Sequence, residues 1–363
     1  MTLFLIQKHT HMNTTDTPRR VSLASLAYLV IILAGVKTAS PILVPFLLSL
    51  FLVIIFKPFA DVLHRRRLPG WLVFTIILLV ILLFDFLVVM IVSASVSSFT
   101  DNMDLYNERL QGYRDRLVTL SAHLGFHDRS QLDALFDPQR LMGFIAGTLS
   151  SFSDLLSNGI LILLTVGFIF IEAKIFPAKV RAISRKPENI RYFNVINHQI
   201  NRYMMIKTYV SLGTGVLIGG LLALVRLDFA VLWGLIAFLL NYIPNIGSLI
   251  AAIPPVVLAL VQFGMGGAIG IAIIFLTVNF VIGNYIEPKL MGHGLGLSVL
   301  VVFLSLIFWG WLLGPVGMFL SIPITLVFKI IMQINPGTRW MAILLGDGTE
   351  LSEEPSVPAS PLS

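Results

Sequence analysis

Three places in this sequence carry residue types able to do chemistry in surroundings that would normally forbid them. Asp85 stands between Phe84 and Phe86 in the middle of a long apolar run. An ionisable group at a helix centre in lipid costs on the order of 2.5–3.5 kcal/mol on insertion scales, so Asp85 must face protein or water. It suits either a protonated hydrogen-bonding group between helices or a carrier of protons or cations. The second place is Asn241-Tyr242-Ile243-Pro244-Asn245-Ile246-Gly247, a polar break within 229–286, a stretch that holds no Asp, Glu, Lys, Arg or His. Pro244 keeps a helix from closing and Gly247 permits a tight backbone. Open carbonyls, Asn241, Tyr242 and Asn245 can then hold a polar or ionic solute; the same residues would also serve simply as caps for two short helices. The third place carries Thr277, Asn279, Asn284 and Glu287. Asn284 and Glu287 are three apart and share a helix face. That face can line the same cavity, or Glu287 and Lys289 can form a surface ion pair worth little energetically.

Other chemistry finds no support. The chain has no Cys, and none of its 7 His lies centrally in an apolar run. His-Glu-x-x-His, Gly-x-Ser-x-Gly and the Gly-rich Lys-Ser/Thr phosphate loop are all missing. The expectation is therefore no catalytic residue, no metal site, no cofactor and no ATP hydrolysis by this chain. An enzyme is the reading set aside.

The elements that must position these residues follow from composition. The chain is 56% hydrophobic and 12% charged, with a mean hydropathy of +0.90, whereas soluble domains carry about 25% charged residues. No wet surface can be built from this, and the fold class expected is an all-α polytopic membrane protein. A crossing needs about 20 apolar residues, and the candidates are 21–36, 41–56, 71–95, 155–171, 208–225, 266–286, 296–313 and 316–331. That gives about eight transmembrane helices. The arms flanking the polar break, 229–240 and 248–262, reach only about 18 and 22 Å at 1.5 Å per residue. Neither spans a core of about 30 Å comfortably, so 229–262 is expected to be a re-entrant helical hairpin whose open backbone lines a cavity.

The net charge of +6 sits mostly in loops between apolar runs, where Lys and Arg orient helices rather than bind nucleic acid. Their bias puts both termini in the cytoplasm. Residues 1–20 read as a cytoplasmic extension before an uncleaved first helix. The domain plan continues with helices one to three over 21–99, a small extracytoplasmic helical element over 100–143 and a fourth helix within 144–172. A cytoplasmic amphipathic linker over 173–207, a transmembrane core over 208–332 and a tail over 333–363, disordered at its end, complete it. In the extracytoplasmic element, Leu110, Tyr113, Leu117, Leu120 and Leu124 form one apolar stripe. It can pack on a neighbouring helix over 131–141 or on another subunit of a homo-oligomer. The linker reads as a helix resting on anionic membrane lipid or as a cap on the bundle. Gly215-x-x-x-Gly219, Gly266-x-x-x-Gly270 and Gly310-x-x-x-Gly314 each permit close helix approach.

Several of these motifs carry a resemblance. Trp233-Gly234-Leu235, the run from Asn241 to Ser248 and Ile253-Pro254-Pro255 are similar to the signature of the autoinducer-2 exporter family of bacterial permeases. So are Glu287-Pro288-Lys289-Leu290-Met291-Gly292, Gly294-Leu295-Gly296-Leu297-Ser298 and the run from Phe308 to Met318. The likeness covers nearly the whole membrane portion. It implies a bacterial inner-membrane permease that exports a small polar signalling metabolite, autoinducer-2, by secondary or facilitated transport. Some relatives of that family are sodium/proton antiporters, so a proton or sodium ion is the alternative partner, and a non-transporting scaffold is a third reading. The substrate pathway expected on these grounds comprises Asn241, Tyr242, Pro244, Asn245, Gly247, Asn279, Asn284 and Glu287. Asp85 and Glu287 are the candidates for ion coupling.

Overall fold

Lipid offers no partner to a backbone N–H or C=O, and the apolar runs meet that demand as helices. The structure is a computed structural model describing residues 23–123, 142–148, 159–183, 187–291, 296–334 and 337–348. The described residues contain no strand. In chain order the helices are α1 (Leu23–Thr38), α2 (Ser40–Arg65), α3 (Gly70–Asp101), α4 (Met103–His123), α5 (Gly159–Ile183), α6 (Pro187–Leu224), α7 (Ala230–Leu240) and α8 (Ile246–Phe263). They continue with α9 (Met265–Val281), a π-helical turn (Ile282–Ile286), α10 (Glu287–Met291), α11 (Val299–Ile334) and α12 (Arg339–Leu345). Six helices among the described residues are long and apolar enough to cross a membrane.

This count covers the described residues alone and stands beside the expected eight as follows. The first run is described as a helix from Leu23 to Thr38, and the apolar part of α5 as Leu161–Ala173, each beside residues outside the described ones. The two expected runs 296–313 and 316–331 are the two arms of α11, counted as one length but folded back on each other at Gly314, whose φ of 71° and ψ of −155° are not helical. Trp309 and Thr325 would lie about 24 Å apart on a straight helix, yet the Trp309 indole N–H donates to Thr325 Oγ1 at 3.1 Å. The Trp309 ring also stacks on Phe328. In the other direction, α8 has 18 residues and is long enough to span by itself, so the arms about the polar break are unequal. Gly264 ends α8 with φ 77° and ψ −168°. It turns the chain directly into α9 with nearly the geometry of Gly314.

The expected linker over 173–207 is not a separate surface helix where it is described. Its first part prolongs α5 to Ile183 and its last part begins α6, which runs unbroken from Pro187 to Leu224. Buried Ile200, Met204, Lys207, Ser211, Thr214, Ile218 and Leu222 repeat at three and four residues, so one face continues through the polar-to-apolar boundary. Residues 1–20 and the extreme C-terminus lie outside the described residues. The start of the expected tail is ordered, since α12 buries Ala342 and Leu345 C=O accepts from the Ser298 N–H.

Helix α7 owes its position to glycine. A Cβ on Gly234 would stand 2.8 Å from both the Gly215 carbonyl and Gly219 Cα, so α6 and α7 meet backbone to backbone. Gly266 and Gly270 meet nothing within 4 Å, and their spacing does no such packing work here. Around Trp233, fully buried, gathers a core drawn from α3, α4, α6, α7, α8 and α9. The α4 stripe joins it: Tyr106 and Leu110 are buried and Tyr113 lies against Gly264. Leu124 and 131–141 lie outside the described residues. Overpacking against a fixed backbone costs typically 1–3 kcal/mol. Gly234→Ala should therefore lower the thermal midpoint of the purified protein in detergent by several degrees, whereas Gly220→Ala, with nothing within 4 Å, should leave it unchanged or raise it.

Candidate functional site

The polar break is a helical hairpin tip with a stitched base. At the base, the Asp228 N–H donates to Gln262 Oε1 at 3.0 Å and Gln262 Nε2 donates to the Arg226 carbonyl at 3.0 Å. The Trp233 indole donates to the Asp228 carbonyl, and the Tyr106 hydroxyl donates to the Asp228 carboxylate at 2.8 Å. Burial and the neighbouring Asp228 charge push the Tyr106 phenol well above its ordinary range, so it stays a donor. These bonds hold Arg226 and Phe229 at φ 59°, a left-handed conformation that costs each residue roughly 1–2 kcal/mol. The base thus fixes the root of α7 and the end of α8 together.

From this root α7 runs along α6 and delivers the tip to a polar step on that helix. Asn241 Nδ2 donates to Ser211 Oγ at 3.0 Å, and the Tyr242 hydroxyl donates to Thr208 Oγ1 at 2.9 Å. Tyr242 stacks on Phe319 with ring centroids 4.9 Å apart and meets Phe51 and Phe238 edge-on. The tip is closed by Asn245 at φ 58° and by Gly247, where a Cβ would fall 1.9 Å from the Leu240 carbonyl. Only glycine permits that approach.

Opposite the tip, α9 gives way to the π-helical turn Ile282–Ile286 before Glu287. Such turns mark functional sites often enough to be informative. Lys207 Nζ donates to Glu287 Oε1 at 2.7 Å; the lysine is 4% exposed and the glutamate 20%. Between the tip, α6 and the π-helical turn lies a cavity of ≈ 340 Å³, at the small end of the range of about 300–1,000 Å³ typical of small-molecule sites. Lys207, Asn241, Pro244, Asn245, Ser248, Asn279 and Glu287 line it, with Ile282, Gly283, Pro288 and Met291.

The structure thus brings Asn241, Pro244, Asn245, Asn279 and Glu287 to one cavity. Tyr242 and Gly247 stand behind the lining, one anchoring the tip and the other closing its turn. Asn284 is not part of it: its amide donates back to the Phe280 carbonyl on an exposed face. A π-helical turn advances fewer degrees per residue than an α-helix, so the three-residue spacing from Asn284 to Glu287 no longer puts both on one face. Asp85 is also not among the lining residues; it sits half-buried on α3, its carboxylate facing Gly159 of α5. Glu287 takes Lys207 as its partner rather than Lys289.

Lys207 was not among the expected site residues because it sits where basic residues usually orient helices. The signal that would have found it is its phase with Met204, Ser211 and Thr214 on the buried face of α6. The arrangement as a whole offers amides, a hydroxyl and one neutralised charge pair to a small polar solute.

Comparison with known proteins agrees with a membrane transporter. The sequence profile of the family described as AI-2E family transporter matches residues 26–336. An inferred transport protein of Haemophilus influenzae is 42% identical over 90% of this chain and 96% of its own length. The AI-2 transport protein TqsA of Escherichia coli is 39% identical over 89% of this chain and 94% of its own.

Removing one partner of a buried ion pair leaves the other charge uncompensated, at a cost of about 3–5 kcal/mol. Lys207→Met and Glu287→Gln should each lower the thermal midpoint, with the double variant losing less than the two losses summed. A double-mutant cycle of unfolding measurements checks this coupling.

Proposed function

Because the chain belongs to the AI-2E transporter family and is a multi-pass membrane transporter, we propose that its cargo is a small polar metabolite, autoinducer-2, bound in the cavity between the hairpin tip and Glu287. The observation that carries this reading is the convergence of polar groups from three separate elements on one cavity of ligand size. Capping of two short helices would require no such gathering. The name of the TqsA relative, an AI-2 transport protein, supplies the substrate.

The hairpin also supports a membrane-embedded pathway. Ser211, which meets the tip, lies 13 residues before the end of α6 at Leu224, or about 20 Å along the helix. With the α6 end and the hairpin base at the outer face, the tip reaches about two-thirds of the way through a core of about 30 Å. Both termini then face the cytoplasm, the arrangement the distribution of Lys and Arg favours. In that placement the tip lies at membrane depth, Asn241 buried and Asn245 exposed, and its polar groups need protein or water as partners. Export from the cytoplasm, through a site close to the inner face, follows from this reading.

The test is flux in proteoliposomes. Wild-type protein should release loaded autoinducer-2 faster than protein-free vesicles. Asn279→Ala, on regular helix α9 and in the cavity wall, should slow release by about 10-fold, the loss expected when a hydrogen bond to solute is removed, while the thermal midpoint stays. Gly220→Ala should transport like wild type. No release above protein-free vesicles would reject the substrate, and sodium flux against protons without any autoinducer-2 movement would assign the protein to cation exchange.

A further inference from the structure

Lys207 has a feature that solute binding alone does not require. It is buried, in the interior of a helix long and apolar enough to cross the membrane, and its ammonium lies 2.7 Å from Glu287, the one carboxylate among the described residues that line the cavity. Charges at such positions are costly and call for a role.

The donor set around Glu287 suggests what the role is. Asn241 donates its amide nitrogen to Ser211, which leaves its carbonyl oxygen as the free acceptor. Asn245, Ser248 and Asn279 line the same space. A carboxylate among amide and hydroxyl oxygens is the kind of hard-oxygen environment that suits hard cations. Here the position beside the carboxylate is filled by a cation that belongs to the chain.

We infer that Lys207 is a tethered cation: its ammonium occupies the place on Glu287 that a free sodium or lithium ion would take, so the cavity is electrically neutral and accepts uncharged solutes. The inference rests on the proposal that this cavity binds the transported solute, and it deepens that proposal by excluding a free monovalent cation from the site. A mobile ion has to displace a group held in place by the helix, and displacement leaves an unpaired buried ammonium. Tethering also gives Lys207 a local concentration far above that of any cation in solution. For the solute, a neutral cavity means that loading and unloading carry no net charge across the membrane field.

This role makes Lys207 a specificity residue with a measurable signature. Take the purified full-length protein in detergent and exchange choline chloride for sodium or lithium chloride at constant ionic strength, recording the thermal midpoint. Wild type and Lys207→Arg should shift by less than about 1 °C, smaller than the rise a ligand produces as it saturates a site on the folded state. Lys207→Gln uncovers the carboxylate and should gain a sodium-dependent rise of several degrees that saturates with concentration, as linkage requires of a ligand that binds only the folded state. Adding Glu287→Gln to Lys207→Gln should abolish that rise.

Sodium stabilisation of the wild type, or no sodium response in a folded Lys207→Gln, overturns the inference. Should Lys207→Gln fail to fold, wild type and Lys207→Arg decide: a response in either overturns it, and silence in both supports it. A failure of autoinducer-2 flux in proteoliposomes would remove the proposed substrate while leaving these ion measurements as they stand.

Discussion

An interrupted helix inside an apolar bundle exposes polar groups that lipid cannot satisfy, and the centre of this molecule is organised around one such interruption. The tip that follows Leu240 is tied to α6 by Asn241 on Ser211 and by Tyr242 on Thr208. Aromatic rings of Phe51, Phe238 and Phe319 enclose Tyr242 and keep the anchoring bond dry, where it is electrostatically stronger than in water. The glycine contact between α6 and α7 is what makes these bonds reachable. A side chain at Gly234 would push the tip off its partners before any polar residue changed.

The same constraint explains the contrast between the two ends of the hairpin. At the base, Gln262 satisfies backbone groups of both Arg226 and Asp228, and Tyr106 of α4 reaches in to Asp228. With the Arg226 and Leu227 N–H groups donating to carbonyls of α6, these bonds join the hairpin to itself, to α4 and to α6, so the base is a fixed root. At the tip, by contrast, the lining amides and the Lys207–Glu287 pair border open space. Rigid support on one side and unsaturated polar groups on the other is the arrangement a binding site needs.

Much of this was legible in the sequence, and the misses have physical causes. Asn241, Pro244 and Gly247 announced a break because each opposes a continuing helix, and the break lies where they placed it. The Gly314-Pro315 pair likewise marks the fold of α11. Lys207 was hidden because a lysine at the edge of an apolar run usually belongs to a loop; only its phase with Met204 and Ser211 puts it on the buried face. Asn284 misled for a different reason, since the three-residue rule assumes an α-helix and Ile282–Ile286 is a π-helical turn. Gly264 ends α8 two residues beyond the expected arm because the turn is made by a left-handed glycine, with no polar loop to signal it. The apolar stripe of α4 identified Leu110 and Tyr113 as packing residues but not that the surface they cover is the hairpin root.

The polar tip can serve transport only if it faces the solute route. Because the chain has no Cys, Asn245→Cys gives a single thiol at the cavity. Its reaction with a small water-soluble thiol reagent can be followed in reconstituted vesicles with and without autoinducer-2. A tip on the route should be modified slowly, and autoinducer-2 should slow the reaction further in a saturable manner. Fast labelling at the rate of an ordinary surface loop, indifferent to the solute, would contradict it.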